Sequence, residues 1–310
     1  MDNIRGMQED FFELIKQALL VKISHRGLKF GMCSIMNVKS GKCSEDCAFC
    51  AQSARHTTNA PVFGLKSKEE ILRHAQRAKE LGATHFSLVA SGRGPTQSEL
   101  AEVIEAIKYL KDRVDIKICA SLGIIDEDGL RALKEAGLSR YHHNIETSRE
   151  YFPTICSTHT FEERINTIKS IKNVGLECCS GCILGIGETK KDRISIAETL
   201  KEIGVDSVPI NILVPIEGTR LGGKPSSITP LEVIETIALF RHTLKTPAIR
   251  LAGGREEGLG DFQALAFMAG ADALMIGGYL TTPGRDPELD LRLKRDAIEF
   301  WKRFRDNAEK

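Results

Sequence analysis

Eight strand-like segments alternating with helix-like ones predict a single (β/α)8 barrel of the TIM type, an α/β fold. Three observations carry that expectation. The units repeat at roughly 30 residues, the length of a βαβ crossover. Regular alternation implies a parallel sheet. The chain, 310 residues long, has the size of one such barrel. An open doubly wound sheet is the competing arrangement.

Residues 1 to about 30 carry Phe11, Phe12, Ile15 and Leu19 at helical spacing and predict one or two helices ahead of the barrel. Strand 32–38 follows and runs straight into Cys43-Ser-Glu-Asp-Cys47-Ala-Phe-Cys50. A helix opens at the capping box Ser67-x-x-Glu70 and stops at Gly82; strand 84–89 precedes a second helix, opened by Thr96-x-x-Glu99. Strand 115–120, helix 127–136 with Gly137 behind it, and strand 140–146 continue the pattern. Thr160-x-x-Glu163 opens a helix ending near Gly175, before strand 176–184. Helix 190–203, Gly204, strand 206–214 and a helix capped by Thr229, with Pro230 and Glu232 behind it, come next. Strands 247–251 and 272–276 flank the last inner helix, and an amphipathic helix closes the chain. The caps and glycines satisfy backbone groups that helix ends leave unpaired. The whole reads as one domain, with helices over about 1–30, the barrel over about 31–284 and a C-terminal helix over about 285–310.

Composition narrows the function. A formal net charge of +1 argues against a nucleic-acid groove or an anionic membrane surface as the main partner. No apolar run is long enough to span a bilayer, and the N-terminus has no secretory segment. Nine cysteines without an export signal point to a reducing, cytoplasmic setting, where thiols serve metals or catalysis.

Cys43, Cys47 and Cys50 are too close together for a disulfide framework. Thiolates hold iron–sulfur clusters, and a four-iron cubane normally takes four of them. Three leave one iron open to a substrate. The alternative is a zinc knuckle, with Cys47 and Cys50 as one half and His56 as a further ligand. Zinc would need a second half-site, and Cys179 and Cys182, the other C-x2-C, lie in an apolar strand.

Side chains alternate along a strand, so stepping in twos gives the inward set. It contains His142, Asn144 and Glu146 on the fourth strand, Ser207, Pro209 and Asn211 on the sixth, and Arg250 on the seventh. Buried polar groups without partners cost several kcal/mol by order of magnitude, so this interior should hold something polar. A self-contained network, such as Glu146 paired with Arg250, is the structural alternative. The fifth strand exits through Gly181-Cys-Ile183-Leu-Gly185-Ile-Gly187-Glu188, whose glycines allow close approach to a flat ligand.

The C-x3-C-x2-C loop with Phe49 before its third cysteine resembles the radical S-adenosylmethionine (SAM) superfamily, and Gly181–Glu188 resembles that superfamily's adenine-facing strand, with Ile183 in it. Further blocks extend the likeness: Tyr141-His-His-Asn-Ile-Glu-Thr-Ser148, Ser207-Val-Pro-Ile-Asn211 and Ile249-Arg-Leu-Ala-Gly-Gly-Arg255. With them the chain resembles the biotin synthase family from about Leu28 to the last helix. The resemblance implies that SAM is cleaved to a 5′-deoxyadenosyl radical, which removes hydrogens from two unactivated carbons of dethiobiotin, and that a second iron–sulfur cluster supplies the sulfur. It implies a 4Fe-4S cluster on Cys43, Cys47 and Cys50, SAM contacts at Asn144, Glu146 and Ile183, and dethiobiotin contacts at Asn144, Asn211 and His142. It also implies a flavodoxin- or ferredoxin-type electron donor, iron–sulfur assembly proteins and a homodimer. Competing functions are a radical SAM enzyme performing rearrangement or another hydrogen abstraction, and a non-catalytic iron–sulfur carrier.

Cys119, Cys179 and Arg250 match three of the four ligands of the family's second cluster. The fourth, usually cysteine, is Ser87 here, and Cys33 on the neighbouring strand stands where the family has serine. The two residues look exchanged between adjacent strands. The auxiliary cluster, two-iron or four-iron, is then expected on Cys33, Cys119 and Cys179 with Arg250, and Cys182 is a weaker candidate. Cys156 and Cys178 read as small buried thiols filling space. His142 and Glu146 also depart from the family's usual asparagine and aspartate.

Overall fold

The structure, a computed structural model, describes residues 11–224, 226–280 and 284–308. Chain order is α1 (Phe11–Arg26), β1 (Gly31–Lys39), α2 (Lys68–Glu80), β2 (His85–Ala90), α3 (Gln97–Lys111), β3 (Lys117–Ser121), α4 (Glu127–Ala136), β4 (Arg140–His142), α5 (Phe152–Ile155) and α6 (Phe161–Asn173). It continues with β5 (Glu177–Cys179), β6 (Cys182–Leu184), α7 (Lys190–Ile203), β7 (Ser207–Ile212), α8 (Pro230–Leu244), β8 (Ala248–Leu251), α9 (Arg255–Leu259), α10 (Gln263–Met268), β9 (Ala273–Met275) and α11 (Pro287–Ala308). Of the expected N-terminal helices, α1 is present; residues before 11 lie outside the described residues.

Local chemistry sets the helix starts. Full capping boxes head α3, α6, α7 and α8, where Thr96, Thr160, Thr189 and Thr229 exchange bonds with Glu99, Glu163, Asp192 and Glu232. Ser67 and Asp126 cap α2 and α4 through the side chain alone. At the other end Gly137 and Gly204 stop α4 and α7 in the left-handed conformation.

All strand pairs are parallel, in the order β5-β4-β3-β2-β1-β9-β8-β7-β6, and a β5–β7 pairing closes the ring. This is the closed eight-stranded barrel, with β5 and β6 as two halves of one strand. The sequence suggests an unbroken strand there, and the interruption has a local cause. Cys179 pairs with Ser207 and Cys182 with Ile210, which leaves Gly181 facing Pro209. Proline offers no N–H to the ladder. The approach is so close that a Cβ on Gly181 would lie 1.9 Å from the Pro209 carbonyl oxygen.

The N-terminal ends of the strands are closed. Lys22 Nζ lies 2.9 Å from the centroid of the Trp301 ring and donates to Gly27 O at 2.6 Å. Asp272 takes Arg26 Nε at 2.6 Å and the Ile249 amide at 2.9 Å. The opposite, C-terminal end is therefore the open mouth, where the chemistry of such barrels sits.

Candidate active site

The thiol loop after β1 is built by its own backbone. Cys43 N donates to Gln52 O at 3.0 Å, Ala54 N to Cys43 O at 2.8 Å, and Cys50 N to Cys47 O at 2.9 Å. Gln52 Oε1 accepts from Ser40 Oγ at 3.0 Å, fixing the loop's entrance. A second brace comes from the segment after α5. Asp46 accepts from Ser157 N at 2.9 Å and Ser157 Oγ at 2.6 Å, and Ala48 N donates to Ile155 O at 2.8 Å. Burial opposes ionisation of Asp46, but the bonds from Ser157, Cys156 and Thr158 hold its carboxyl well below the usual range. Cys43, Cys47 and Cys50 all face a cavity of about 310 Å³. Burial raises the Cys50 thiol, and Cys43 and Glu146 nearby add to the effect. A bound cation reverses that, because metal ligation requires the thiolate.

Beneath this loop the strands bring distant residues together. Cys33, Cys119 and Cys179 are fully buried. Arg250 Nη1 donates toward Cys179 Sγ at 3.6 Å. Burial raises Cys33, against the pull of Arg250, and raises Cys119, with Cys33, Arg140 and Cys179 all within electrostatic reach. Arg140 Nη1, Arg250 Nε, His142 Nε2, Ser87 Oγ and Ser207 Oγ are buried without hydrogen-bond partners. Thiols ringed by unpaired donors, two of them cationic, suit a sulfide-rich anionic group, so the residues fit an auxiliary cluster. Register refines the expected exchange between β1 and β2. Ser87 pairs with Ile35 and Cys119, whereas Cys33 pairs with His85 and Met275, one inward step lower.

The other expected residues divide. His142, Asn144, Glu146, Asn211 and Arg250 face the cavity with the loop thiols. Ile183 lines an adjoining cavity of about 220 Å³, which also reaches Asn211 and Gly253. The two asparagines have a structural duty as well. Asn144 Oδ1 accepts from Gly181 N at 3.1 Å, binding an amide exposed by the β5–β6 break. Asn211 bridges strands, donating to Cys182 O at 3.2 Å and accepting from Gly253 N at 3.1 Å. Cys182 stands apart: it is surrounded by the hydrophobic core, within reach of Glu188, Glu146 and Arg193.

Strand β4 ends at His142, earlier than the sequence pattern implies. Glu146 has φ +67°, a left-handed conformation for a residue with a side chain. Burial raises its carboxyl, opposed by Arg164, whose Nη1 lies 3.5 Å away, and by Asn144. The sequence alternative of a Glu146–Arg250 pair is not what forms. Strain at a cavity-facing carboxylate is a mark of ligand-binding sites.

Sequence reasoning missed Arg140, one inward step before His142. It also missed Arg164, which donates to Asn144 O at 2.8 Å. Cys156 is more than filler. Its Sγ lies 3.9 Å from Cys47 Sγ and 3.3 Å from His159 Nδ1. No spacing rule finds such a contact, since it joins two loops 109 residues apart.

A closed parallel barrel whose mouth carries a three-thiol loop defines a radical SAM-type domain. A profile of the radical SAM superfamily matches residues 37–200, and one of the biotin and thiamin synthesis associated domain matches residues 209–297. The biotin synthase of Pelotomaculum thermopropionicum is 51% identical over 292 residues, covering 94% of this chain and 91% of that one. The biotin synthase of Thermotoga petrophila is 49% identical over 267 residues, covering 86% and 89%. This chain belongs to the biotin synthase family. Solved structures repeat the fold at low identity. Methylornithine synthase aligns with a TM-score of 0.75 at 21% identity over 86% of this chain and 77% of that one. The FeFe-hydrogenase maturase HydG of Carboxydothermus hydrogenoformans aligns at 0.78 and 20%, over 92% and 70%. Among the described residues, no helix is long and apolar enough to cross a membrane.

Proposed function

We propose that the chain makes biotin by inserting sulfur into dethiobiotin, with the chemistry inside the barrel. Cys43, Cys47 and Cys50 are the ligands of the 4Fe-4S cluster; Cys33, Cys119, Cys179 and Arg250 are those of the auxiliary cluster. When bound, the first cluster with SAM supplies a 5′-deoxyadenosyl radical and the auxiliary cluster supplies sulfur. The protein's own part is placement. Glu146, held by Arg164, and Asn144 meet the charged end of SAM, and Ile183 offers an apolar face to its adenine. Asn144 and Asn211 present amide donors and acceptors suited to a cyclic urea, with His142 beside them. Arg140, whose Nε and Nη2 are held by Glu177, keeps Nη1 free as a donor to the sulfide group below.

A single observation carries this reading. Three loop thiols and Arg250, the partner of Cys179, face one cavity of about 310 Å³. A carbon radical formed there meets sulfur before it meets bulk water, which a carrier protein has no need to arrange. The chain works as one domain, since the segments matched by both family profiles contribute strands to the same ring. A flavodoxin- or ferredoxin-type donor supplies electrons, assembly proteins load the clusters in the cytoplasm, and the enzyme is a homodimer. Anaerobic reconstitution with iron and sulfide, then SAM, reductant and dethiobiotin, is expected to give 5′-deoxyadenosine and biotin together. Deoxyadenosine without biotin or a thiolated intermediate, with both clusters loaded, would assign the chain to a rearrangement or other hydrogen abstraction.

A further inference from the structure

Cys156 is a thiol that neither cluster uses and that still faces a ligand. It follows α5, is buried, and lies 3.9 Å from Cys47, sulfur to sulfur. The pair is clamped on both sides. Asp46 takes the Ser157 amide and hydroxyl at 2.9 and 2.6 Å, and Ala48 N donates to Ile155 O at 2.8 Å. Cys47 faces the cavity, whereas Cys156 approaches it from the protein side. A mononuclear metal is a poor occupant, although Cys47, Cys156 and His159 donors lie within 4.8 Å of one another. Both ring nitrogens of His159 are engaged, Nδ1 with Glu45 Oε2 at 2.6 Å and Nε2 with Arg164 Nε at 3.1 Å.

We propose that Cys156 is a resolving thiol for Cys47, closing a reversible disulfide when the loop has lost its iron. The oxidant is hydrogen peroxide, entering through the cavity. Cys47, whose S–H points at Cys156 Sγ, passes that proton to Cys156 and attacks peroxide as the thiolate; an S–O bond forms, the O–O bond breaks, and the departing hydroxide takes the proton back from Cys156 as water, leaving a sulfenic acid on Cys47. Cys156 thiolate then attacks the Cys47 sulfur; the S–S bond forms, the S–O bond breaks and a second hydroxide leaves toward the cavity. Two thiols lose two electrons and one peroxide becomes two waters. The sulfur gap must close from 3.9 Å to a bond of about 2.05 Å, within the swing of two side chains. An unresolved sulfenic acid oxidises on to sulfinic acid, which thiols do not reduce; a disulfide stops that ladder and is reversed by them. Cluster loss in the presence of oxidant thereby stays repairable. That consequence rests on Cys47 being a cluster ligand, as proposed above; the pairing itself rests on the contact.

The test uses the full chain, purified anaerobically and stripped of iron with a chelator under reductant. After several equivalents of hydrogen peroxide, since a sulfinic acid consumes two per thiol, followed by alkylation and digestion without reductant, mass spectrometry should find Cys47 chiefly in a peptide linked to Cys156. Dithiothreitol should remove the link and restore iron loading to the untreated level. Cys156→Ala and Cys156→Ser should load iron normally without peroxide, which shows that they fold. After peroxide and dithiothreitol both should keep Cys47 as sulfinic acid and load the loop's cluster several-fold less well. Cys178→Ala should behave as the wild type. Wild-type Cys47 recovered as sulfinic acid, or linked to Cys43 or Cys50, would overturn the proposal. A Cys47→Ala chain holding its full iron complement would instead overturn the ligand reading, and the cross-link result would stand independently of it.

Discussion

The mouth loop and the barrel interior both gather three thiols, and they do so by opposite means. Cys43, Cys47 and Cys50 lie within eight residues, on a loop tied by its own backbone and braced by residues 155–159, and two of them are only half-buried. Cys33, Cys119 and Cys179 come from β1, β3 and β5, are fully buried, and meet only because the sheet closes. A ligand set made by local spacing can stay near solvent, where a substrate chelates an open iron. One made by sheet register is enclosed, as a sulfur source for a carbon radical should be. The difference predicts which set fails first and what fails with it.

The largest effect should come from the loop. Cys43→Ala, Cys47→Ala or Cys50→Ala should each lower SAM cleavage by at least about a thousandfold, with circular dichroism unchanged because the barrel core lies elsewhere. Cleavage near the wild-type rate in any of them would break the assignment of the open cluster to this loop.

The interior set should separate the two halves of the reaction. Cys33→Ala is expected to lose the auxiliary iron and all biotin while keeping deoxyadenosine formation within about twofold. Ser87→Ala should do neither, although Ser87 is equally buried and pairs directly with Cys119. Iron counts with Mössbauer spectra decide it: a full complement of both clusters in Cys33→Ala would remove Cys33 from the ligand set. A milder experiment exploits burial alone. A chelator under reducing conditions should strip the loop iron several-fold faster than the interior iron, followed by the same spectra. Equal loss rates would mean that the barrel opens as readily as the loop.

The same contrast explains what could be read in advance. The loop thiols are a spacing, and a spacing is written in the chain. The helix starts at Ser67, Thr96, Thr160 and Thr229 were legible for the same reason, since a cap and its partner are three residues apart. Alternation gives the face a strand residue shares but not its height in the barrel, because height is set by pairing. So the sequence pattern sets Cys33 beside Ser87, whereas it is level with His85. Where strand geometry ends, stepping in twos ends with it. Glu146 still reaches the cavity, through a left-handed turn that no alternation rule contains. The break at Gly181 was hidden because its cause, Pro209, lies on another strand. Cys156 was least legible, being a loop residue whose partner is another loop.

The smallest expected effect compares the two regions by their response to acid, in the metal-free chain. In the interior, burial with Arg140 and Arg250 nearby pushes His85 down to about 3, and burial holds His142 well below the usual imidazole range. At the mouth, burial pulls His159 down, but its bonds with Cys156 and Glu45 lift it above the usual value. A lowered folded value means that the unfolded chain takes up the proton first. His85 and His142 therefore stabilise fully above the unfolded value of about 6.5, and that contribution is lost as the pH falls below it. His159 has the opposite sign: its contribution is full below the unfolded value and lost as the pH rises through the folded one. His143, which burial with Arg164 and His159 nearby also holds well below the usual range, joins the two interior rings, and three rings against one predict lower stability at about pH 5.5 than at about pH 7.5. His85→Gln should remove about 1 kcal/mol of that fall, and His159→Gln should deepen it. Melting temperatures at the two pH values check both, and a His85→Gln chain that falls as steeply as the wild type would mean that the interior is wet enough to hold a charged imidazole.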